Sequence, residues 1–127
     1  MIDEEKLSFE ESIKIVRETF AYTNHTVLPE ALEKWSVDLM QNLLPRHMDL
    51  IYLINFFHIE DLKRKYPNDI HKLERMSIIE EGYPKMVRMA YLSIICSHSV
   101  NGVAALHTDL LKKTIFKEFN ELFPNKI

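Results

Sequence analysis

The sequence has little glycine and almost no cysteine. Its 127 residues include two glycines, five prolines and one cysteine, Cys96. A single cysteine excludes an internal disulfide and suits a reducing compartment, and the scarcity of glycine argues against a loop-rich fold. No apolar run approaches the length of a membrane-spanning helix, and the acidic start, MIDEE, lacks the basic region of a signal peptide. These absences predict a cytoplasmic globular chain of about one domain's size.

Charge of one sign is also lacking. The chain has 16 basic and 19 acidic residues, a formal net charge of -3, whereas a nucleic-acid-binding domain would be basic. The one basic cluster, Lys63 to Lys65, falls at a predicted helix end, where it favours the helix dipole. His58, Glu60 and Asp61 match no metal template such as HExxH, which favours a solvated helix face over a metal site. We therefore expect no nucleic acid, membrane or metal among the partners.

Apolar periodicity predicts that most of the chain is helical. Ser8 to Glu11 reads as a capping box that opens an amphipathic helix extending to about Thr19. The longest helical pattern spans Arg46 to about Tyr66, and its apolar surface is so wide that it expects cover on more than one side. Further helices are predicted over Pro29–Trp35, from Ser36 or Asp38 to Pro45, Asn68–Met76, Val103–Lys113 and Ile115–Leu122.

Two stretches read as strands. Phe20 to Val27 is rich in aromatic and β-branched residues. Tyr91 to Cys96 is an unbroken apolar run, typical of a strand buried on both faces. The intervening helices predict that the two strands are parallel, in an α/β arrangement. Because two central-type strands do not form a stable sheet, residues 1–127 read as part of a larger domain, with no internal boundary.

A polar stretch follows the second predicted strand and contains the candidate site. His98 comes directly after the apolar run, with Asn101 and Gly102 close behind, and ligands in α/β sheets bind beyond the carboxyl ends of strands. A tight strand–helix connection, whose polar residues satisfy backbone groups, explains the same residues. One histidine and one asparagine make no catalytic set, so the pattern leaves both interpretations open. His25, near the end of the first strand, is equally open between core and site.

Longer motifs point to a family. AYTNHTVLPEALEKW (Ala21–Trp35), LLPRH (Leu43–His47) and SHSVNGVAALH (Ser97–His107) closely resemble the glycogen and starch phosphorylases, and the likeness runs through the whole chain. The resemblance implies phosphorolysis of an α-1,4-glucan by inorganic phosphate to give glucose 1-phosphate, with pyridoxal phosphate as cofactor. It also implies a homodimeric enzyme of glycosyltransferase-B architecture. This chain is then an internal part of its Rossmann-like N-terminal domain.

The resemblance carries roles to four residues, all of them substrate-binding. His98 is expected to hydrogen-bond the 6-hydroxyl of the glucosyl unit, and His25 to line a pocket beside the catalytic site. Asn101 and Gly102 belong to the same loop as His98, so the segment would form one wall of the glucose site. The cofactor lysine and the phosphate-binding basic residues have no counterpart here. The isolated chain is therefore expected to contain no catalytic residue, to bind no pyridoxal phosphate and to be inactive.

The sequence also departs from the animal enzymes of that family. Arg88 replaces an asparagine, Tyr91 a histidine and Cys96 a glycine, and the last change affects the entrance to the His98 loop. The alternative interpretation is a free-standing, non-catalytic helical binding module derived from such an enzyme. A reading frame that continues past Ile127 into a cofactor domain would distinguish the two.

Overall fold

A computed structural model describes all 127 residues, and more than half of them are helical. The fold is mixed α/β, with seven helices, five strands and one 3-10 turn, Pro29–Ala31. In chain order the elements are α1 (Phe9–Thr19), β1 (Ala21–Asn24), β2 (Lys34–Ser36), α2 (Val37–Leu43), α3 (Pro45–Lys65), α4 (Ile70–Met76), β3 (Ile79–Glu80), β4 (Met86–Arg88), α5 (Met89–Ile95), β5 (Ser99–Gly102), α6 (Ala105–Lys113) and α7 (Lys117–Leu122).

The chain forms two compact units. One contains Met1–Ala31 and Ser93–Ile127, and the other contains Leu32–Leu92, so helix α5 begins in the second unit and ends in the first. That residues 1–127 form one continuous part of a larger domain stays a prediction. None of the helices is both long and apolar enough to cross a membrane.

The first unit is built on a parallel pair of strands, β1 and β5; the sequence predicts a parallel pair, but with Tyr91–Cys96 as its second strand. Their register runs from Ala21 opposite Ser99 to Asn24 opposite Gly102. Side chains alternate along each strand, so one face of the pair is covered and the other is open. The covered face lies over the apolar core of this unit, which contains Ile94, Ile95, Val100, Leu111, Phe116, Phe119 and Leu122.

Helix α1 begins as the capping pattern predicts. The Glu11 backbone N–H donates to Ser8 Oγ at 3.1 Å, and the Ser8 N–H donates to the Glu11 carboxylate at 3.2 Å. Both orphan donors at the helix start are therefore satisfied within four residues. The predicted capping box is confirmed.

The second unit combines α2, α3 and α4 with a three-stranded antiparallel sheet in the order β2-β4-β3. Pro45 occupies the first turn of α3, where its missing N–H costs no hydrogen bond. The buried stripe of α3 contains Met48, Ile51, His58 and Leu62. Outside that stripe, Phe56 is 57% and Phe57 41% exposed, so the wide apolar surface predicted for this helix is present.

Two predictions, one about His58 in α3 and one about the segment Pro29–Trp35, are corrected. His58 does not lie on a solvated face: it is 4% exposed, and its Nε2 lies 2.9 Å from the Met76 carbonyl oxygen. This carbonyl partner is what allows a polar ring to occupy the core stripe. Pro29 to Trp35 is not a helix either, because the 3-10 turn ends at Ala31 and Lys34–Ser36 pairs with β4.

The predicted strand Tyr91 to Cys96 is wrong. These residues lie mostly in helix α5, and the strand that pairs with β1 is Ser99–Gly102, which the sequence places in a loop. A short apolar run is compatible with either a buried strand or a buried helix, because periodicity needs more residues to distinguish them. Ser97 Oγ donates to the Ser93 carbonyl at 2.6 Å, a bond to the fourth residue before it that belongs to helical geometry.

Candidate functional site

The end of β1 is held by Asn24, which is 2% exposed. Its Oδ1 accepts the Thr26 N–H at 2.9 Å, and its Nδ2 donates to the Tyr22 hydroxyl at 3.0 Å. An asparagine that bonds the backbone two residues on forms an Asx turn. This turn leaves His25 exposed immediately beyond the carboxyl end of β1.

Asn101 lies on the open face of the strand pair, opposite Thr23. Its Oδ1 accepts a hydrogen bond from Thr23 Oγ1 at 3.1 Å, and its Nδ2 donates to the Gly102 carbonyl at 2.8 Å. A primary amide has two N–H donors, so the second one remains for a hydroxyl group on this face. Asn101 is thus oriented by its own strand and by its neighbour.

His98 lies in the connection between α5 and β5 and is exposed. Its backbone N–H donates to the Phe20 carbonyl at 2.9 Å, and its Nδ1 lies 2.9 Å from Ser99 Oγ. The Ser99 contact leaves Nε2 as the outward-facing nitrogen of the ring. Nε2 is a donor in one tautomer and an acceptor in the other, and a hydroxyl group can pair with either.

The structure does not bring all the predicted site residues together. His98 precedes β5 and lies level with Phe20, so it sits at the amino end of the strand pair, not at the carboxyl end that the sequence predicts. This error follows from the misassigned strand. His25, Asn101 and Gly102 lie towards the carboxyl end. His98 and His25 are five residues apart in register, roughly 16 Å along a strand at about 3.3 Å per residue.

Gly102 is buried, and its role in the structure is close packing. Its N–H donates to Thr108 Oγ1 at 2.9 Å. A Cβ at this position would lie 2.8 Å from His107 Cγ and 3.0 Å from the Thr108 backbone nitrogen. Only a residue without a side chain lets β5 approach the first turn of α6 this closely. That Gly102 itself contacts substrate stays a prediction.

Sequence reasoning missed the residues that orient this region: Thr23, Asn24, His107 and Thr108. The alternation in YTNHT offered one signal, because it predicts opposite faces for Thr23 and Asn24. For His107 and Thr108 the signal is weaker. It consists of two polar side chains five and six positions after a glycine, at the start of a helix.

Two cationic side chains, Arg17 and Lys126, bond the last carbonyl groups of α5. Arg17 Nε donates to the Ile95 carbonyl at 3.1 Å, and Lys126 Nζ donates to the Ile94 carbonyl at 3.0 Å. Burial lowers the pKa of Lys126 to about 8, and Arg17 adds to the shift. Burial also raises the pKa of Cys96, which disfavours the reactive thiolate form of this free, half-buried cysteine.

A cavity of about 530 Å³ lies in the second unit, between α3, α4 and the antiparallel sheet. Arg88 and Glu80 are among the charged residues that line it, and Arg88 Nε donates to Glu80 at 3.3 Å. Glu80 also accepts from Lys34 at 2.8 Å, a bond that lowers the pKa of this carboxyl. Arg88 Nη1 donates to the carbonyls of Glu74, Arg75 and Ser77. Arg88 thus holds the end of α4.

No three His, Cys, Asp or Glu side chains in the chain are grouped to hold a metal ion.

Comparison with known proteins defines the class. The family model described as "Carbohydrate phosphorylase" matches residues 1–127, and the chain belongs to this family. Among curated proteins it is 54% identical to glycogen phosphorylase of Saccharomyces cerevisiae, with 99% of the chain covered. It is 52% identical to the liver form of Ovis aries and 51% identical to that of Homo sapiens, each over 98% of the chain. The chain spans only 14–15% of the length of these relatives.

Proposed function

We propose that this chain is a segment of an α-glucan phosphorylase. The reaction removes the terminal glucose of an α-1,4-glucan by inorganic phosphate and gives glucose 1-phosphate. The observation that carries this proposal is identity of about half the residues to glycogen phosphorylases along essentially the whole chain. The strand pair β1 and β5, with the histidines at its two ends, is where we place the contribution of this segment.

We infer that the segment forms one wall of the glucose site. His98 bonds the 6-hydroxyl of the glucosyl unit through Nε2, the ring nitrogen that Ser99 leaves free. Asn101 supplies its second amide N–H, and Gly102 holds the backbone behind it. His25 lines the pocket beside the catalytic site. The separation of the two histidines, roughly 16 Å by strand geometry, supports different roles for them and not a shared contact.

We place no catalytic or cofactor-binding residue in this chain. Pyridoxal phosphate, the cofactor we propose for the full-length enzyme, supplies proton transfer through its phosphate group. Its Schiff base needs a lysine amine that faces an open site. The amine of Lys126, although its pKa is lowered to about 8, donates to the Ile94 carbonyl and lies 4.0 Å from the centre of the Phe123 ring. This lysine does not fit the role.

The wider proposal follows the family. The full-length enzyme is a homodimer of glycosyltransferase-B architecture located in the cytoplasm, with this chain in its Rossmann-like N-terminal domain. Its ligands are α-1,4-glucan, inorganic phosphate and glucose 1-phosphate, and we propose no nucleic-acid or membrane partner.

Two preparations test the function. The full-length protein that contains this segment should release glucose 1-phosphate from glycogen and phosphate when reconstituted with pyridoxal phosphate. The purified 127-residue chain should release none above a blank without protein and should not alter the absorbance of the cofactor. Sustained turnover by the isolated chain would overturn the proposal. A reading frame that ends at Ile127, with a product that binds glucan without phosphorolysis, would favour the non-catalytic binding module.

A further inference from the structure

The connection from β5 into α6 is held by side chains from inside the helix. The first backbone N–H groups of a helix have no partner within it, and a polar N-cap residue usually supplies one. Here the N-cap position is Ala104, which has no polar side chain. Two residues of the first turns reach back past the N-cap, to N–H groups that precede the helix. His107 Nδ1 accepts the Val103 N–H at 3.3 Å, and Thr108 Oγ1 accepts the Gly102 N–H at 2.9 Å.

The imidazole of His107 also packs against Gly102. The 2.8 Å distance between His107 Cγ and an ideal Cβ on residue 102 shows that the ring occupies the space of the missing side chain. Because Nδ1 accepts from a backbone N–H, the neutral ring carries its proton on Nε2. His107 Nε2 is buried and has no hydrogen-bond partner. Burying Nε2 without a partner costs free energy of desolvation. The contacts of the ring with residues 102 and 103 offset that cost.

These contacts reach Asn101 through the two peptide groups that follow its Cα. Thr108 holds the N–H of Gly102, and the Asn101 side chain donates to the carbonyl of Gly102 at 2.8 Å. His107 holds the N–H of Val103, which belongs to the same peptide group as that carbonyl. The orientation of this peptide therefore fixes where the acceptor for Asn101 Nδ2 lies. In its observed orientation the amide satisfies both that acceptor and the Thr23 hydroxyl.

We infer that His107 is a positioning residue for the carboxyl end of β5, acting by orienting the Gly102–Val103 peptide on which Asn101 depends. This rests on the function proposed above. His107 itself touches no substrate. Its half-buried ring acts through the backbone, and the property it needs is an acceptor atom at the δ position of the side chain.

Two isosteric substitutions in the full-length enzyme test the inference. Asparagine places its amide oxygen near the position of Nδ1, whereas glutamine places its amide near the position of Nε2. His107→Gln should lower kcat/KM between about two-fold and about twelve-fold, the range that corresponds to losing one neutral hydrogen bond. It should also speed amide hydrogen exchange in a peptide spanning residues 99–105. His107→Asn should stay within about two-fold of wild type in both measurements, within the scatter of a retained neutral hydrogen bond.

A double substitution shows whether the effect passes through Asn101. In an Asn101→Ala background, His107→Gln should have little further effect on kcat/KM, because residues acting as a unit are not additive. If His107→Gln does not accumulate as folded protein, His107→Leu replaces it, since leucine keeps bulk beside Gly102 but has no acceptor.

The outcomes separate this inference from the proposed function. Equal losses for the glutamine and asparagine variants, or full additivity with Asn101→Ala, would overturn the positioning role. If the wild-type enzyme releases no glucose 1-phosphate, the proposed function fails. Hydrogen exchange still decides whether His107 orders residues 99–105. Slower exchange in wild type and His107→Asn than in His107→Gln supports that ordering, and equal exchange in all three overturns it.

Discussion

The hydroxyl of Thr23 donates a 3.1 Å hydrogen bond to Oδ1 of Asn101, joining residues that are 78 positions apart in the chain. The bond links the two most distinctive motifs of the sequence, TNHTV and SHSVNGV, because each supplies one strand of the parallel pair. Thr23 thus belongs to the candidate site through Asn101. The two motifs form one surface as a result of strand pairing, and their order in the chain does not show it.

This bond should have a measurable share in stability. Thr23→Val removes the hydroxyl but keeps the branched shape that strands favour, so the loss should reflect the hydrogen bond. We expect a decrease in the free energy of unfolding of about 0.5–1.5 kcal/mol, measured by urea denaturation of the chain. Thr23→Ser is the matched control, because it retains the hydroxyl. If serine destabilises as much as valine, the side-chain bond to Asn101 is not the cause.

Gly102 should not tolerate the smallest enlargement. Alanine would place its Cβ 2.8 Å from His107 Cγ and 3.0 Å from the Thr108 backbone nitrogen, and the second contact cannot be relieved by a side-chain rotation. Overpacking of this kind costs about 1–3 kcal/mol, so Gly102→Ala should lower the urea midpoint of the chain. Val103→Ala is the control, because the Val103 side chain is 59% exposed. Equal midpoints for Gly102→Ala and wild type would show that α6 moves away freely.

Lys126 should make stability depend on alkaline pH. Its pKa is about 8 in the folded chain against an ordinary value of 10.5, so between these values the unfolded chain binds more protons at this site than the folded chain does. The free energy of unfolding should therefore gain a contribution as pH rises from about 8 to about 10.5, and lack it below that window.

A substitution isolates this contribution from other groups that titrate in the same range. Lys126→Met keeps an unbranched apolar stem and removes the amine. Its stability relative to wild type should be greater at pH 7 than at pH 10, as measured by urea denaturation at both values. A difference between the two proteins that does not change with pH would mean that the amine keeps its ordinary pKa in the folded chain.

Local patterns predicted those parts of the fold that local contacts decide. The capping box of α1 lies within four residues, and Ser8 and Glu11 alone identify it. The apolar run from Tyr91 was misassigned because whether it forms a helix or a strand depends on residues far away in the sequence. Arg17 and Lys126 bond the last carbonyls of α5 from 78 and 32 positions away, and no local pattern contains that information.

The candidate site also has a part that the sequence could predict and a part that it could not. Motif resemblance proposed His25, His98, Asn101 and Gly102 as substrate-binding residues without any knowledge of the strands. It could not show that His98 lies at the amino end of β5, because this depends on which residues pair with β1. The supporting residues around Asn101 and Gly102 were missed for the same reason, since they act across strands or across the strand–helix connection.

His98 gives the sharpest test in the full-length enzyme. If its Nε2 bonds the 6-hydroxyl of the transferred glucosyl unit, and the bond strengthens in the transition state, its loss should appear in kcat as well as KM. His98→Ala should reduce kcat/KM by about 10- to 100-fold, on the order of 1.4–3 kcal/mol. The measurement is made in the synthesis direction, with glucose 1-phosphate as the varied substrate.

Two comparisons decide what that loss means. With 6-deoxyglucose 1-phosphate the defect of His98→Ala should shrink, because the contact is already absent. His98→Gln should recover more activity than His98→Asn, because glutamine places its amide near Nε2 and asparagine near Nδ1, the nitrogen that already faces Ser99. At His107 the opposite order of activity is expected, with asparagine better than glutamine. The same two substitutions therefore distinguish a ring that hydrogen-bonds the sugar from one that orients the backbone. Equal losses on both substrates, with asparagine as good as glutamine, would show that His98 shapes the connection to β5 and does not contact the 6-hydroxyl.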